Sequence, residues 1–255
     1  MTPFEPGIDA LVAEFEAAPT VNQRLKALTR LKYGQGFYTP NLVAILEDVK
    51  ETKLVDVIFA LGNSSDPRAE AHLLRLGAAT ASQYTLTDLN AALGSCGSAA
   101  SLPHLVRMLD SKRSDVRCSA IAAISRIGGR AAEGVMIAAC DGSKSDMKGY
   151  ACTMISVNGS PACLPSMRIR LVSMLKNPHK IASVPDDLWT AFYFFVRLQR
   201  DSVDAARAVS QYSQAVLDRL DSPDRETMQA LLAGEALAET HRNFLEHWVA
   251  RTPWY

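Results

Sequence analysis

The stretch Ala122-Ala-Ile-Ser-Arg-Ile-Gly-Gly-Arg130 decides the fold, because altered copies of it occur along the chain. The clearest copy is Ala91-Ala-Leu-Gly-Ser-Cys-Gly-Ser-Ala99, which precedes it. Two weaker copies are Phe59-Ala-Leu-Gly-Asn-Ser-Ser-Asp-Pro67 and Ile155-Ser-Val-Asn-Gly-Ser-Pro161. Self-similarity with a fixed period of about 30 residues is typical of proteins built from stacked structural repeats.

Glycines recur with the same period. One interval separates Gly97 from Gly128 and again Gly128 from Gly159, and the interval between Gly62 and Gly94 is longer by a single position. We predict that each of them ends one amphipathic helix and opens the next, as a C-cap residue with a positive φ.

The apolar pattern within a unit is helical. Val116, Ala120, Ile121, Ile124 and Ile127 fall on one helix stripe, which we expect to be buried. Ser114 or Asp115 is suited to cap the start of this helix, and Pro103 suits the first turn of the helix before it. A pair of short helices buries such a stripe only by stacking on neighbouring pairs. The sequence therefore predicts an all-α fold, a right-handed α-solenoid of stacked antiparallel helix pairs.

A known repeat family shares these motifs. The run from Ala91 to Asp110 resembles the second half of a HEAT repeat, and Ser114 to Gly128 resembles the first half of the next one. The pattern Asp-Val-Arg, Ala-Ile-x-x-Ile and Pro-x-Leu is most similar to the short bacterial HEAT repeats of phycobilisome lyases. The resemblance covers roughly residues 53–176 and implies an armadillo-type interaction fold, which hosts many functions.

The remaining parts of the chain are less regular. We expect one α-solenoid domain over 1–255, with diverged N-terminal helices at 1–52, HEAT-like repeats at 53–176 and diverged C-terminal helices at 186–255. Predicted helices outside the repeats are 8–18, 22–32, 41–49, about 187–200, 201–220, 223–237 and 238–249. Residues 176–185 form a predicted loop, and Ser222 a predicted N-cap with Pro223 as the first helical residue.

Two aromatic segments leave alternatives open. The helix from Trp189 to Phe195 is apolar nearly all round, which favours burial in the core over an exposed interaction surface. The tail with Trp248, Trp254 and Tyr255 either packs on the last helices or is a loose end.

Charge is balanced in total but not along the chain. The sequence has 27 basic and 27 acidic residues, which disfavours a protein built mainly to coat nucleic acid or an anionic membrane. Residues 61–185 hold 14 basic and 8 acidic side chains, whereas residues 186–255 hold 7 and 11. The basic middle predicts a surface that attracts an acidic partner.

Two helices of the repeats carry His and Arg in register. His72 and Arg75 are followed one repeat later by His104 and Arg107, and Arg168 and Arg170 add positive charge further on. Since residues three apart share a helix face, we predict that these six side chains line the concave face and bind the partner there.

Chemical motifs are scarce. The sequence has no phosphate-binding glycine loop, no nucleophile elbow and no His-Glu-x-x-His motif, and we expect no enzyme activity, no cofactor and no metal. Its five cysteines form no Cys-x-x-Cys pair, which favours reduced thiols in the cytoplasm. The start of the chain does not resemble a secretory signal, and no apolar stretch is long enough to span a bilayer.

We therefore expect a non-catalytic protein-binding solenoid, an adaptor or an immunity-type inhibitor, whose partner is a protein with an acidic surface. One alternative is nucleic-acid binding through the basic repeats, as in the HEAT-like DNA glycosylases. The other is a lyase or chaperone for a chromophore protein, as the phycobilisome-lyase resemblance implies.

Overall fold

The computed structural model describes residues 67–79, 83–176, 187–237, 239–246 and 249–254, together with Ala17, Gln23, Ile58, Leu61 and Gly62. The helices predicted at 8–18, 22–32 and 41–49 lie outside the described residues, apart from Ala17 and Gln23, which are helical. The predicted loop at 176–185 also lies outside them, apart from Lys176, the last residue of a helix.

Helices account for nearly all of the regular structure in these ranges. They are α1 Pro67–Ala79, α2 Gln83–Cys96, α3 Leu102–Met108, α4 Ser114–Ile127, α5 Gly129–Asp141, α6 Ser145–Asn158, α7 Leu164–Lys176, α8 Asp187–Leu198, α9 Val203–Leu217, α10 Ser222–Leu232 and α11 Glu239–Glu246. Short 3₁₀ turns at Ala99–Ser101 and Pro161–Cys163 precede α3 and α7. The described chain contains no β-strand, only one isolated bridge between Gly128 and Thr252. The all-α class is confirmed.

The predicted apolar stripe builds the core of α4. Its five members are at most 4% exposed, and Ile121 and Ile124 are fully buried. Pro103 lies in the first turn of α3, as predicted, where its missing N–H group has no helical partner to lose.

The chain divides into two compact units, 1–123 and 124–255. In the second unit α6 packs against α8 and α8 against α10, which makes one row of helices. The second row consists of α5, α7 and α9, each in contact with the next. Two rows of successive helix pairs are the architecture of an α-solenoid, which confirms the predicted fold class.

The prediction for the repeated glycines is confirmed only in part: Gly128 lies between α4 and α5, and Gly159 is the C-cap residue of α6 but has a φ of −66°. Gly128 is the only member of the described set with a positive φ, 82°. Gly62 and Gly94 lie inside helices, where a Cβ would approach the Cα atoms of Ala92 and Ala123 to 2.8 Å and 2.9 Å. Glycine is needed there because two helix backbones cross closely, so the predicted C-cap role is wrong at these positions.

The aromatic helix and the C-terminal helices follow the sequence closely. Trp189, Phe192, Phe194 and Phe195 of α8 are at most 2% exposed, so this helix is core. Asp221 is the N-cap residue of α10 and Ser222 is its first residue, one position away from the prediction. None of the described helices has the length and apolarity needed to cross a bilayer.

Candidate functional site

Three helices carry the six predicted partner-binding side chains. His72 and Arg75 lie on α1 and His104 and Arg107 on α3, all in the first unit. Arg168 and Arg170 lie on α7 in the second unit. The six side chains therefore belong to two different units.

His104 does not lie on the surface where the sequence analysis placed it. Its side chain is 4% exposed, and its ring packs where a side chain at Gly77 would otherwise be, 2.6 Å from the position of a Cβ there. Burial, and to a lesser extent the charge of Arg107, lowers the pKa of His104. The imidazole is therefore held neutral inside the unit, and it is not available to an acidic partner.

The other members of the first unit remain accessible. Arg75 is exposed and its Nη2 contacts Nδ1 of the half-buried His72, within α1. Arg107 is exposed on α3 beside Val106, which is 40% exposed. An exposed aliphatic side chain thus accompanies an exposed arginine.

An exposed aliphatic side chain also accompanies exposed cations on α7, and there its exposed fraction is larger. Arg168 and Lys176 are exposed on this helix, and Ile169 between them is 70% exposed. We call Arg168, Ile169 and Lys176 the α7 basic face. Arg170, in contrast, is half-buried. The sequence analysis missed Ile169, although its position off the buried stripe of Met167, Leu171 and Met174 was a signal.

Neighbouring contacts hold Arg168 in place. Its Nη2 donates to Oε1 of Gln211, on the adjacent helix α9, over 3.3 Å. The guanidinium is thereby directed from α7 towards α9.

The acidic residues near α7 only partly offset its charge. Residues 124–176 contain seven basic and three acidic side chains. One of the three, Glu133, is only 6% exposed, whereas Asp141 is exposed and accepts a hydrogen bond from Ser166 Oγ over 2.9 Å. The exposed part of this segment is therefore positive.

Glu133 has a structural partner set that the sequence analysis did not anticipate. Its Oε1 accepts from the backbone N–H of Ser160 at 2.8 Å and from Cys163 Sγ at 3.3 Å. Burial, followed by the negative charge of Glu133, raises the pKa of Cys163 far above that of a free thiol. Because the thiolate is the reactive form of cysteine, this thiol is inert and its role is structural.

Glu70 repeats this arrangement in the first unit. Its Oε1 accepts from Ser98 N at 2.7 Å and from Ser101 Oγ at 2.6 Å. The runs Gly-Ser-Ala-Ala-Ser-Leu-Pro, from Gly97, and Gly-Ser-Pro-Ala-Cys-Leu-Pro, from Gly159, are separated by two repeat lengths. The recurrence of this run after two repeat lengths was the signal that could have revealed the two segments to which Glu70 and Glu133 bind.

An aromatic cluster joins α8, α10 and α11. Trp189 stacks on Tyr193, with ring centroids 5.3 Å apart. The ring centroid of His241, on a different helix, lies 4.7 Å from that of Trp189. His241 Nε2 is 3.1 Å from Asp224 Oδ1. Within the described ranges, no group of three or more His, Cys, Asp or Glu side chains is arranged to hold a metal ion.

Some solved structures are similar to this chain. The chain is similar to the solved structure of human deoxyhypusine hydroxylase in complex with glycerol, at 13% sequence identity and a TM-score of 0.35, over 91% of this chain and 97% of that one. No family model matches the sequence, and no curated protein matches it.

This finding overturns two expectations. The similar structure is that of an enzyme, so the predictions of a non-catalytic binding module and of a protein without enzyme activity are wrong on this comparison. The similarity is too low to assign the hydroxylase activity to this chain.

Proposed function

We propose that the protein binds an acidic protein segment through the α7 basic face. The proposal concerns the partner and its chemistry, and it is independent of catalysis. The single observation that carries it is the exposure of Ile169, 70%, between the accessible cations Arg168 and Lys176.

Electrostatics supports an anionic partner. Exposed charges of one sign steer an oppositely charged molecule and raise its association rate, an effect that salt weakens. The excess of basic over acidic residues in 124–176 and the withdrawal of Glu133 from the surface both favour this sign.

Ile169 supports a protein partner over a nucleic acid. An exposed branched aliphatic side chain gains from burial against an apolar side chain, whereas a phosphate backbone offers it nothing comparable. Arginine is enriched at interfaces between proteins, whose buried centres are more apolar than the rest of the protein surface. The acidic segment should therefore also carry an aliphatic or aromatic residue.

A titration with synthetic peptides tests this function. The probe is a labelled peptide of alternating acidic residues around one leucine, measured by fluorescence anisotropy at low and high salt. Arg168→Glu and Ile169→Ser should each weaken binding about tenfold or more, whereas Lys112→Glu, an exposed cation in the first unit, should leave it within twofold.

Other results would contradict the proposal. Equal binding of the peptide to wild type and to Arg168→Glu would remove the α7 basic face from consideration. Tight, salt-dependent binding of a single-stranded oligonucleotide without binding of the peptide would identify the partner as nucleic acid. The pair Arg75 and Arg107 on the first unit is tested separately by a double change to Glu.

We also propose that the repeats are of the short phycobilisome-lyase type and that the protein resides in the cytoplasm. The Pro-x-Leu start of α3, from Pro103 to Leu105, supports the repeat type. The odd number of cysteines, five, and the absence of a Cys-x-x-Cys pair from the sequence support a reducing compartment. Alkylation of denatured protein from freshly lysed cells should label five thiols per chain.

A further inference from the structure

The C-terminal segment 249–254 lies on helices that are distant in sequence. Trp254 is 1% exposed and its Nε1 donates to the carbonyl oxygen of Ser125, in the last turn of α4, over 3.2 Å. The backbone N–H of Arg251 donates to the Arg126 carbonyl at 2.8 Å. Of the two alternatives for the tail, packing on the last helices and a loose end, the loose end is wrong for Trp254, and these two hydrogen bonds join the tail to α4.

The contacts satisfy groups that a helix end leaves without partners. The last four carbonyl groups of an α-helix have no partner within the helix. In α4 the tail supplies donors to two of them, Ser125 and Arg126. Asn158 at the end of α6 adds a third contact, because its Oδ1 accepts from the backbone N–H of Ala250 at 2.8 Å.

Gly128 makes room for the tail. It pairs with Thr252 in a parallel bridge, and a Cβ at Gly128 would lie 1.8 Å from the Thr252 carbonyl oxygen. The neighbouring Gly129 has the same φ, 82°, but a Cβ there would meet nothing within 4 Å. A substitution at Gly129 therefore causes backbone strain alone, whereas the same substitution at Gly128 causes that strain and also a collision with the tail.

We propose that the C-terminal ends of α4 and α6 form a peptide-binding groove, which the chain fills with its own residues 249–254. The ligand class is an extended segment of a partner protein. One of its backbone N–H groups would take the place of that of Arg251 and donate to the Arg126 carbonyl, and a tryptophan three residues later would take the place of Trp254. Such recognition by backbone hydrogen bonds and one aromatic anchor is a recurring way of binding peptides.

The tail's own side chains indicate that the groove accepts other sequences. Val249 is 54% exposed, and Thr252 and Pro253 are exposed as well. Recognition therefore rests on the backbone and on the indole, and not on a sequence peculiar to this chain. Because the tail is tethered, its effective concentration at the groove is high, and a partner segment binds only by displacing it.

The experiment vacates the groove in the full-length chain and refills it with a peptide. The protein is Trp254→Ala, and the probe is a fluorescently labelled peptide of residues 249–255. We expect this peptide to bind the variant saturably. Its binding to wild type should be at least tenfold weaker, because the tail of wild type competes with it. A peptide with Ala in place of the tryptophan should not bind the variant.

A matched pair of variants locates the peptide. Added to Trp254→Ala, Gly128→Ala should abolish binding, whereas Gly129→Ala should preserve it. Absence of binding to a folded Trp254→Ala chain would overturn the proposal, and so would equal effects of the two glycine changes.

Two further outcomes also decide the matter. If Trp254→Ala does not fold, Trp254→Leu is used instead, and failure of both to fold would show that the tail is a fixed part of the core and not a displaceable ligand. A wild-type dimer that Trp254→Ala dissociates would identify the occupant as the tail of a second copy, and would overturn the assignment to a partner protein.

Discussion

The guanidinium of Arg197 on α8 caps the C-terminal end of α6, where its Nε donates to the carbonyl oxygen of Ser156 over 3.0 Å. Its Nη2 donates to the Gly159 carbonyl, and its Cζ lies 5.7 Å from the centroid of the Phe194 ring. Ser125 and Ser156 occupy the same position of successive repeats, so one repeat uses a tryptophan and the next an arginine for the same purpose.

Replacing Arg197 by Ala should lower the free energy of unfolding by about 1–3 kcal/mol, because two buried carbonyl groups lose a charged donor. Arg197→Lys should recover part of the loss, since one ammonium group reaches fewer acceptors in a fixed geometry. Urea denaturation measures both values, with Arg207→Ala, an exposed arginine on α9, as the control that should change stability by less than about 0.5 kcal/mol.

Two glycine-to-alanine changes should have opposite effects. At Gly94 the new methyl group would lie 2.9 Å from the Ala123 Cα, and separating the two helices should cost about 1–3 kcal/mol. At Gly134, exposed on α5, a Cβ would meet nothing within 4 Å, and the higher helix propensity of Ala should add about 0.5–1 kcal/mol. Thermal denaturation measures both changes in stability. An increase in stability from Gly94→Ala would contradict the close approach of the two helix backbones at Gly94 and Ala123.

Glu70 should make the protein sensitive to acid. Burial acts to raise the pKa of its carboxyl group, but hydrogen bonds from Ser101 and Ser98 outweigh burial and hold that pKa below its usual value. The folded state therefore binds a proton less readily than the unfolded state. Stability from this group is complete above the unfolded pKa, near 4.5, and is lost as the pH falls through the folded pKa.

The comparison that isolates this effect uses Glu70→Gln. Its unfolding free energy should fall less steeply below about pH 5 than that of wild type, since the amide does not titrate. Urea titrations at a series of pH values give both curves. If the unfolding free energies of wild type and Glu70→Gln fall equally steeply below about pH 5, the Glu70 carboxylate does not contribute as described.

His104 should add a second loss of stability at slightly higher pH. Its pKa is lowered in the folded state by burial and by the charge of Arg107, so the unfolded chain takes up a proton first as the pH falls. The contribution is complete above the unfolded pKa, near 6.5, and declines below it. We expect His104→Gln to remove the slope between about pH 7 and 5, and NMR titration of the His104 ring protons to show a pKa below 6.5.

Periodicity made much of the fold predictable. The regular repeat and the stripe through Ile121 and Ile124 report which helix faces are apolar, and burial of apolar area is what drives their packing. The same reasoning identified α8 as core, because Trp189 and the phenylalanines leave it no polar face. Helix class and core residues depend on local spacing, which a single sequence displays.

Side-chain partners were not predictable in this way. His72 and His104 occupy matching positions of the repeat, yet only His104 is buried, because Gly77 leaves space for its ring. The exposed Ile169 likewise follows from which neighbours α7 has, and not from the pattern of α7 alone. Repeat register locates a residue on its helix, but the depth of each side chain depends on the helices packed against it.

The sequence by itself determined that the chain is helical, that it repeats, and which stripe of each helix is apolar. Only the tertiary structure decided that Trp254 caps α4 and that Gly128 and Gly94 serve contact with other backbone segments. The physical reason is distance along the chain. Apolar spacing is encoded within one helical turn, whereas the hydrogen bond between Trp254 and Ser125 joins groups 129 residues apart and exists only after the helices have packed.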